Sequence, residues 1–506
     1  MGNDSNDSKN GSKKIEGISM MMAVSRVLQF DNISSENKIW NDILHYVHYL
    51  EDSGVSKSDR VMISADNSYE FILAVFALIH IDCSIVLVDS SLDEGEVLKI
   101  AKHSNSRFCI CDRFIHQNEV SIQMLELSYD HSTEELLKGK IDMGAWEQRK
   151  DALILYTSGS TGNPKGIIKS GKSFLINIRA TIKRMEYNPS DVLLPLIPFT
   201  HFYGLSIIFI WWITKCDLVL CNYRNMRAIT NEIAAKKVTV VDAVPSMFYM
   251  LNRLFAKRRD LLNNIKNSKV RMWCVGGSPL SKKLSREFHS YIQMPLLDGY
   301  GLSEAGNVAL NIKGTEFGCG KALEGVQIKV INSDGNELPF GQTGEILVKS
   351  PGVMEKYHKL EQATNSVLQN GWLKTNDLGY FDQSGNLFVI GRKGDEILRK
   401  GYIIHPASIE KTLEDRLGIK CKVVSFKDEK KGSIIILMVE ADDDTGQLRD
   451  KITHSLDAIS KPDKIHIMKH FPYLNNGKID YKSIKNLSIQ LNNKIVEGEI
   501  CQLELH

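Results

Sequence analysis

The densest chemistry in the chain lies in Tyr156-Thr157-Ser158-Gly159-Ser160-Thr161-Gly162-Asn163-Pro164-Lys165-Gly166, directly after a strand-like run. Its glycines let backbone N–H groups approach an anion closely, while Thr157, Ser158, Ser160, Thr161 and the Lys165 ammonium add donors for phosphate oxygens. Gly, Ser, Asn and Pro also make ordinary turns, but a run of this length after a buried strand exceeds what a turn needs. Pro164 precedes Lys165, so the G-x-x-x-x-G-K-[S/T] loop of common nucleotide triphosphatases is excluded.

Further groups follow at intervals. Gly276-Gly277-Ser278 ends one strand-like run, and Asp298-Gly299-Tyr300-Gly301-Leu302-Ser303-Glu304 ends another. Tyr300 offers an aromatic face to a purine, Asp298 an acceptor for an exocyclic amine, and Glu304 a hard oxygen suited to Mg²⁺ bridging phosphates. Asp377 can accept both hydrogen bonds of a ribose diol, and Arg392 can clamp sugar or phosphate oxygens. Taken singly, each of these is more often a packed or solvated residue. Lys478 sits in a Gly-containing turn, Leu474-Asn475-Asn476-Gly477-Lys478, and Gly401 opens a loop that leads into a helix beginning near Ala407. His201 lies in Pro198-Phe199-Thr200-His201-Phe202-Tyr203-Gly204, and no acidic residue occurs from Pro195 to Gly204.

The elements that must position these groups form an α/β pattern. From Val61 to about Leu297, short β-branched runs alternate with longer amphipathic ones, as in largely parallel or mixed sheets with crossover helices. After Gly301 the runs become strand-like with Gly- and Asn-rich turns, which predicts an antiparallel, β-barrel-like appendage. A small α+β unit follows, with a helix over 407–417 and strands over 421–426 and 433–439.

The remaining composition narrows the partners. Among 506 residues, 63 Lys and Arg face 61 Asp and Glu, a net charge of +2, so no field recommends nucleic acid or an anionic membrane. The nine Cys lack C-x-x-C spacing, and free thiols in a cytoplasmic, reducing setting fit best. Met1–Lys14 is polar, with no secretory apolar stretch. The apolar run Leu205–Ile213 is far shorter than the ~20 residues that span a bilayer, so it reads as a core helix.

The ordered set of loops from Tyr156 to Lys478 resembles that of the adenylate-forming enzymes, the superfamily of acyl- and aryl-CoA ligases, peptide-synthetase adenylation domains and luciferases. The resemblance implies a large AMP-binding domain over 1–393 and a small mobile domain over 394–506, with a hinge at Gly394, where Asp or Lys is usual. It implies ATP and Mg²⁺ as cofactors and a thiol, of CoA or phosphopantetheine, as acceptor. By the same resemblance Lys478 drives adenylation, Thr157 and Glu304 hold the metal, Gly159 to Lys165 holds pyrophosphate, and Gly401 faces the thiol. Gly276, Gly277, Ser278, Asp298 to Gly301, Ser303, Asp377 and Arg392 hold the nucleoside, and His201 gates the acyl pocket. Amino-acid-activating members carry an Asp near that pocket; its lack here points to an aryl or fatty acid and not an α-amino acid. Two other readings stay open: a stand-alone enzyme loading a carrier protein, and a non-catalytic nucleotide-binding protein.

Overall fold

The computed structural model describes residues 26–28, 33–113, 115, 122–128, 140–157, 165–223, 225–312, 317–395, 397–399, 402–428, 432–442, 444–474 and 477–496. The parallel and mixed sheets expected of the large N-terminal part are two. A seven-stranded sheet has the order Lys356–Tyr357, Lys165–Lys169, Leu153–Thr157, Ser84–Leu87, Arg60–Ser64, Phe108–Cys111, Gln123–Glu126. A nine-stranded sheet is centred on Leu296–Leu302, Met272–Val275, Val240–Ala243, Val192–Pro195 and Asp217–Val219, which run parallel. The division arises after the Leu153–Thr157 strand. The Lys165–Lys169 strand turns back antiparallel on Leu153–Thr157 and blocks further parallel growth at that edge, so the following units start a second sheet.

Two helices between the sheets hold them together. Tyr69–Ile81 and Phe202–Thr214 are apolar on nearly every face, and such helices are stable only when enclosed. Phe76 stacks on Trp212 at 4.1 Å, and Phe209 meets the Phe174 ring edge-on at 4.8 Å. The Leu205–Ile213 run is thus core helix, and no helix among the described residues is long and apolar enough to cross a membrane. Every described cysteine is a free thiol.

The antiparallel part is a five-stranded sheet built on Gln327–Ile331, Gly344–Lys349, Trp372–Phe381 and Leu387–Arg392. Beyond it, Ile397, Leu413, Val423, Leu437 and Ile452 form a separate apolar core. There Lys420–Asp428, Gly432–Glu440 and Lys464–Met468 make a three-stranded sheet covered by the helices Pro406–Leu417 and Tyr481–Val496.

Candidate active site

Strand pairing brings together residues far apart in sequence. In the Trp372–Phe381 and Leu387–Arg392 hairpin, Asp377 sits directly opposite Arg392. Arg392 Nε donates to Asp377 Oδ1 at 3.1 Å, and the Tyr300 hydroxyl donates to Asp377 Oδ2 at 2.6 Å. Burial raises the pKa of Asp377, and the Arg392 charge and the two hydrogen bonds pull the other way. The Tyr300 hydroxyl is pushed well above its ordinary range by burial and by the neighbouring carboxylate. Asn376, at φ +58°, makes the sharp backbone turn before Asp377 in a conformation that Asn tolerates better than most residues.

The strand carrying Tyr300 contains an irregularity between Tyr300 and Gly301, where a Cβ on Gly301 would lie 2.8 Å from the Gly306 carbonyl oxygen. Only glycine fits there, and the resulting bend throws out the turn that bears Ser303 and Glu304. Glu304 Oε1 accepts from the Tyr357 hydroxyl at 2.9 Å, and Lys165 Nζ lies 5.5 Å from the centre of the same ring. Tyr357 therefore links Lys165 to Glu304. Among the described residues no group of three or more His, Cys, Asp or Glu could enclose a metal ion. A single carboxylate such as Glu304 nevertheless fits Mg²⁺, which keeps several waters and takes phosphate oxygens as ligands.

The small C-terminal unit reaches into this site. Its 474–478 turn closes with Gly477 N donating to Leu474 O and Leu474 N to Lys478 O. Gly477, at φ +74°, seats against Val244 and Ser246, and Lys478 Cε lies 3.5 Å from where a Cβ on Gly277 would be. The Lys478 side chain is exposed. Desolvation by the surrounding protein and then the Arg392 charge lower its pKa, while Asp377 raises it. The unit is also held at its flank. Lys420 Nζ sits 4.4 Å from the centre of the Tyr249 ring, and Arg253 lies 3.8 Å from Glu440. Gly394 has φ +91°, a conformation few other residues adopt, and the space a Cβ would take there is open for 4 Å around.

His201 caps the Phe202–Thr214 helix and its Nε2 donates to Asp89 Oδ2 at 3.1 Å. Burial alone would raise the Asp89 pKa, but the hydrogen bond and electrostatic pull of His201 and the hydrogen bonds from Ser91 bring it down to about 2. Gly204 packs the first turn of that helix on Pro198, where any Cβ would collide with the carbonyl oxygen. Tyr203 lies along Gly276, with a ring carbon 3.2 Å from a Cβ placed there, and its hydroxyl is turned away to donate to buried Asp242 at 2.9 Å. Tyr203 thus presents its ring to the Gly276 backbone.

Tyr300, Asp377, Arg392, Gly276, Gly277 and Lys478 converge, with Glu304 and Lys165 grouped on Tyr357. Asp298 is turned inward: its carboxyl accepts from the Cys319 thiol at 3.6 Å, and burial pushes its pKa up to about 7. Gly299 and Ser303 flank these residues on the same strand and turn. Ser158, Gly159, Ser160, Thr161, Gly162 and Gly401 lie outside the described residues; Thr157 is described as a strand end only. Tyr357 and Asp89 went unnoticed in the sequence, where Met-Glu-Lys-Tyr and Val-Asp-Ser carry no distinguishing spacing.

The AMP-binding enzyme family matches residues 38–358. The chain belongs to that family. It is 26% identical over 457 residues to the 2-succinylbenzoate–CoA ligase of Enterococcus faecalis, covering 87% of this chain and 91% of the relative. The O-succinylbenzoate coenzyme A synthetase of Bacillus subtilis in complex with ATP and magnesium ion superposes with a TM-score of 0.79 at 25% identity, covering 92% of this chain and 96% of that one. ATP-bound MatB from Rhodopseudomonas palustris shares the fold, with a TM-score of 0.82 at 20% identity over 94% of this chain and 98% of its own. The chain is an adenylate-forming enzyme, and its reaction class is that of an AMP-forming acid–thiol ligase.

Proposed function

We propose that this enzyme joins an aryl carboxylic acid to the thiol of coenzyme A through an acyl-adenylate. The observation that carries this reading is the seat of the Lys478 turn against Gly277, within electrostatic reach of Asp377 and Arg392, the residues to which this reading gives the nucleotide. CoA, rather than a carrier protein, is supported by the relatives named as CoA ligases, and an aryl acid by the 2-succinylbenzoate in their names.

A carboxylate is a poor electrophile because neither oxygen can leave. Attack of the acid on the α-phosphate of ATP expels pyrophosphate, and positioning with cations supplies most of the acceleration. Lys478 draws the carboxylate and α-phosphate together. Asp377 holds the ribose, Arg392 its oxygens, and Tyr300 stacks on adenine with Gly276, Gly277 and Ser278 around it, while Asp298, turned onto Cys319, is left out of the adenine contacts. The loop from Gly159 to Lys165 retains the pyrophosphate. Thr157 and Glu304 would hold Mg²⁺, which when bound neutralises phosphate charge. His201, steadied by Asp89, closes the acyl pocket. The unit over 394–506 then turns about Gly394 to bring Gly401 beside the thiol, which expels AMP.

Acid-dependent release of pyrophosphate across a panel of aryl and fatty acids, 2-succinylbenzoate first, tests the reading. We expect one aryl acid to stand out and free CoA to be consumed. Release with none of them, or thioester formation only on a carrier protein, would overturn it.

A further inference from the structure

Lys169 is fully buried, yet the mechanism above gives it no task. Lysine is almost never enclosed without a partner, since stripping an ammonium of water is costly. Its Nζ donates to the Gly352 carbonyl oxygen at 2.5 Å and lies 5.4 Å from the centre of the Phe202 ring. No carboxylate among the described residues pairs with it at contact distance.

Gly352 opens a strap that runs antiparallel to the Lys165–Lys169 strand. Glu355 N donates to Ile168 O at 2.8 Å and His358 N to Gly166 O at 2.7 Å. The strap grips Glu304 twice, through Met354 N to the Glu304 carbonyl oxygen at 2.6 Å and through the Tyr357 hydroxyl to its carboxylate at 2.9 Å. A Cβ on Gly352 would lie 3.1 Å from the Ala305 carbonyl oxygen, so the strap is pressed on the Glu304 turn.

We propose that Lys169 is a positioning residue: by fastening Gly352 it holds the strap that fixes Glu304 relative to Lys165. Side chains that orient a metal-facing group typically change metal affinity when removed, and this one acts through a single backbone carbonyl. The inference rests on Glu304 facing Mg²⁺.

The test uses the full chain with Lys169→Met, which loses the donor, and Lys169→Gln, which keeps one. Calorimetric binding of ATP is titrated against Mg²⁺, and amide hydrogen exchange is read by mass spectrometry. We expect Lys169→Met to raise the half-saturating Mg²⁺ about tenfold and to speed exchange in peptides from 350–358 and 303–306, leaving the small unit unchanged. Lys169→Gln should recover most of both. Unchanged Mg²⁺ demand in a folded Met variant, exchange accelerated uniformly over the chain, or a Gln variant no better than Met would overturn the proposal. Should the Met variant not fold, a Gln variant with wild-type Mg²⁺ demand and strap exchange supports the donor role, and one shifted like Glu304→Gln refutes it. Glu304→Gln is the control: if it leaves Mg²⁺ demand unchanged, the metal reading of Glu304 falls, and the exchange data still decide whether Lys169 holds the strap.

Discussion

Arg392 donates to Asp377 at 3.1 Å while 66% of the arginine side chain stays accessible and only 9% of the aspartate does. An ion pair so open to water adds about 1 kcal/mol or less to stability. Its value is to aim a carboxylate: Arg392 and Tyr300 each occupy one oxygen and fix the plane in which Asp377 can receive further donors. Asp377→Asn keeps the size but loses the charge and half the acceptor capacity. A hydrogen bond to a charged group is worth about 1.5–3 kcal/mol, so the KM for ATP should rise at least tenfold. Wild-type enzyme should discriminate against 2′-deoxy-ATP and the variant should not. Steady-state kinetics with both nucleotides measure this, and retained discrimination in the variant would remove Asp377 from the ribose.

The Lys478 turn depends on a glycine. A Cβ at Gly477 would lie 2.7 Å from Val244 Cγ2 and 2.8 Å from Ser246 Oγ, and its φ is +74°. Gly477→Ala therefore displaces the turn as well as straining it by about 1 kcal/mol. Misplacement by ~1 Å can cost on the order of a hundredfold in rate. Adenylation should fall by that order, as it should on Lys478→Ala, while thioester formation from supplied acyl-adenylate persists. Rapid-quench assays of the two half-reactions distinguish this from a variant that loses both equally.

Tyr300, Asp377, Arg392 and Lys478 are ordinary one by one, and only the order of their motifs along the chain, through its resemblance to a family, singled them out; the α/β pattern with its antiparallel appendage was legible from the spacing of apolar residues. What stayed hidden is long-range. Tyr357 matters through Glu304, 53 positions away, Asp89 through His201, 112 away, and Lys169 through Gly352, 183 away. No local spacing encodes such pairs. The assignment of strands to the two sheets was hidden for the same reason, since periodicity reports which side of a strand is buried and not which sheet it joins.

Lys420 tests the docking of the small unit. Its ammonium lies over the Tyr249 ring on the helix Pro245–Lys257, whose first turn receives Gly477. A partly desolvated cation–π contact contributes about 1 kcal/mol, close to fivefold in an equilibrium. Lys420→Met should slow adenylation by about that factor and leave the thioester step unchanged or faster. An equal slowing of both half-reactions would mean that Lys420 stabilises the small unit itself and not its docked position.

The charge on Lys169 predicts a pH dependence of stability. Desolvation lowers its pKa from 10.5 to about 7, against the opposing pull of Glu304 and Glu355. Between those values the unfolded chain binds a proton that the folded chain lacks, so stability rises with pH from about 7 upward. Asp298 and Asp242, each pushed up to about 7 by burial, act on the other side: their contribution falls as pH rises towards 7 and is flat above it. Lys169→Met removes only the lysine contribution. Thermal melting at pH 7, 8 and 9 should therefore show the wild type gaining stability relative to the Met variant at each step. A difference in Tm that stays constant across that range would mean that the ammonium keeps its proton in the folded state, balanced by the nearby carboxylates.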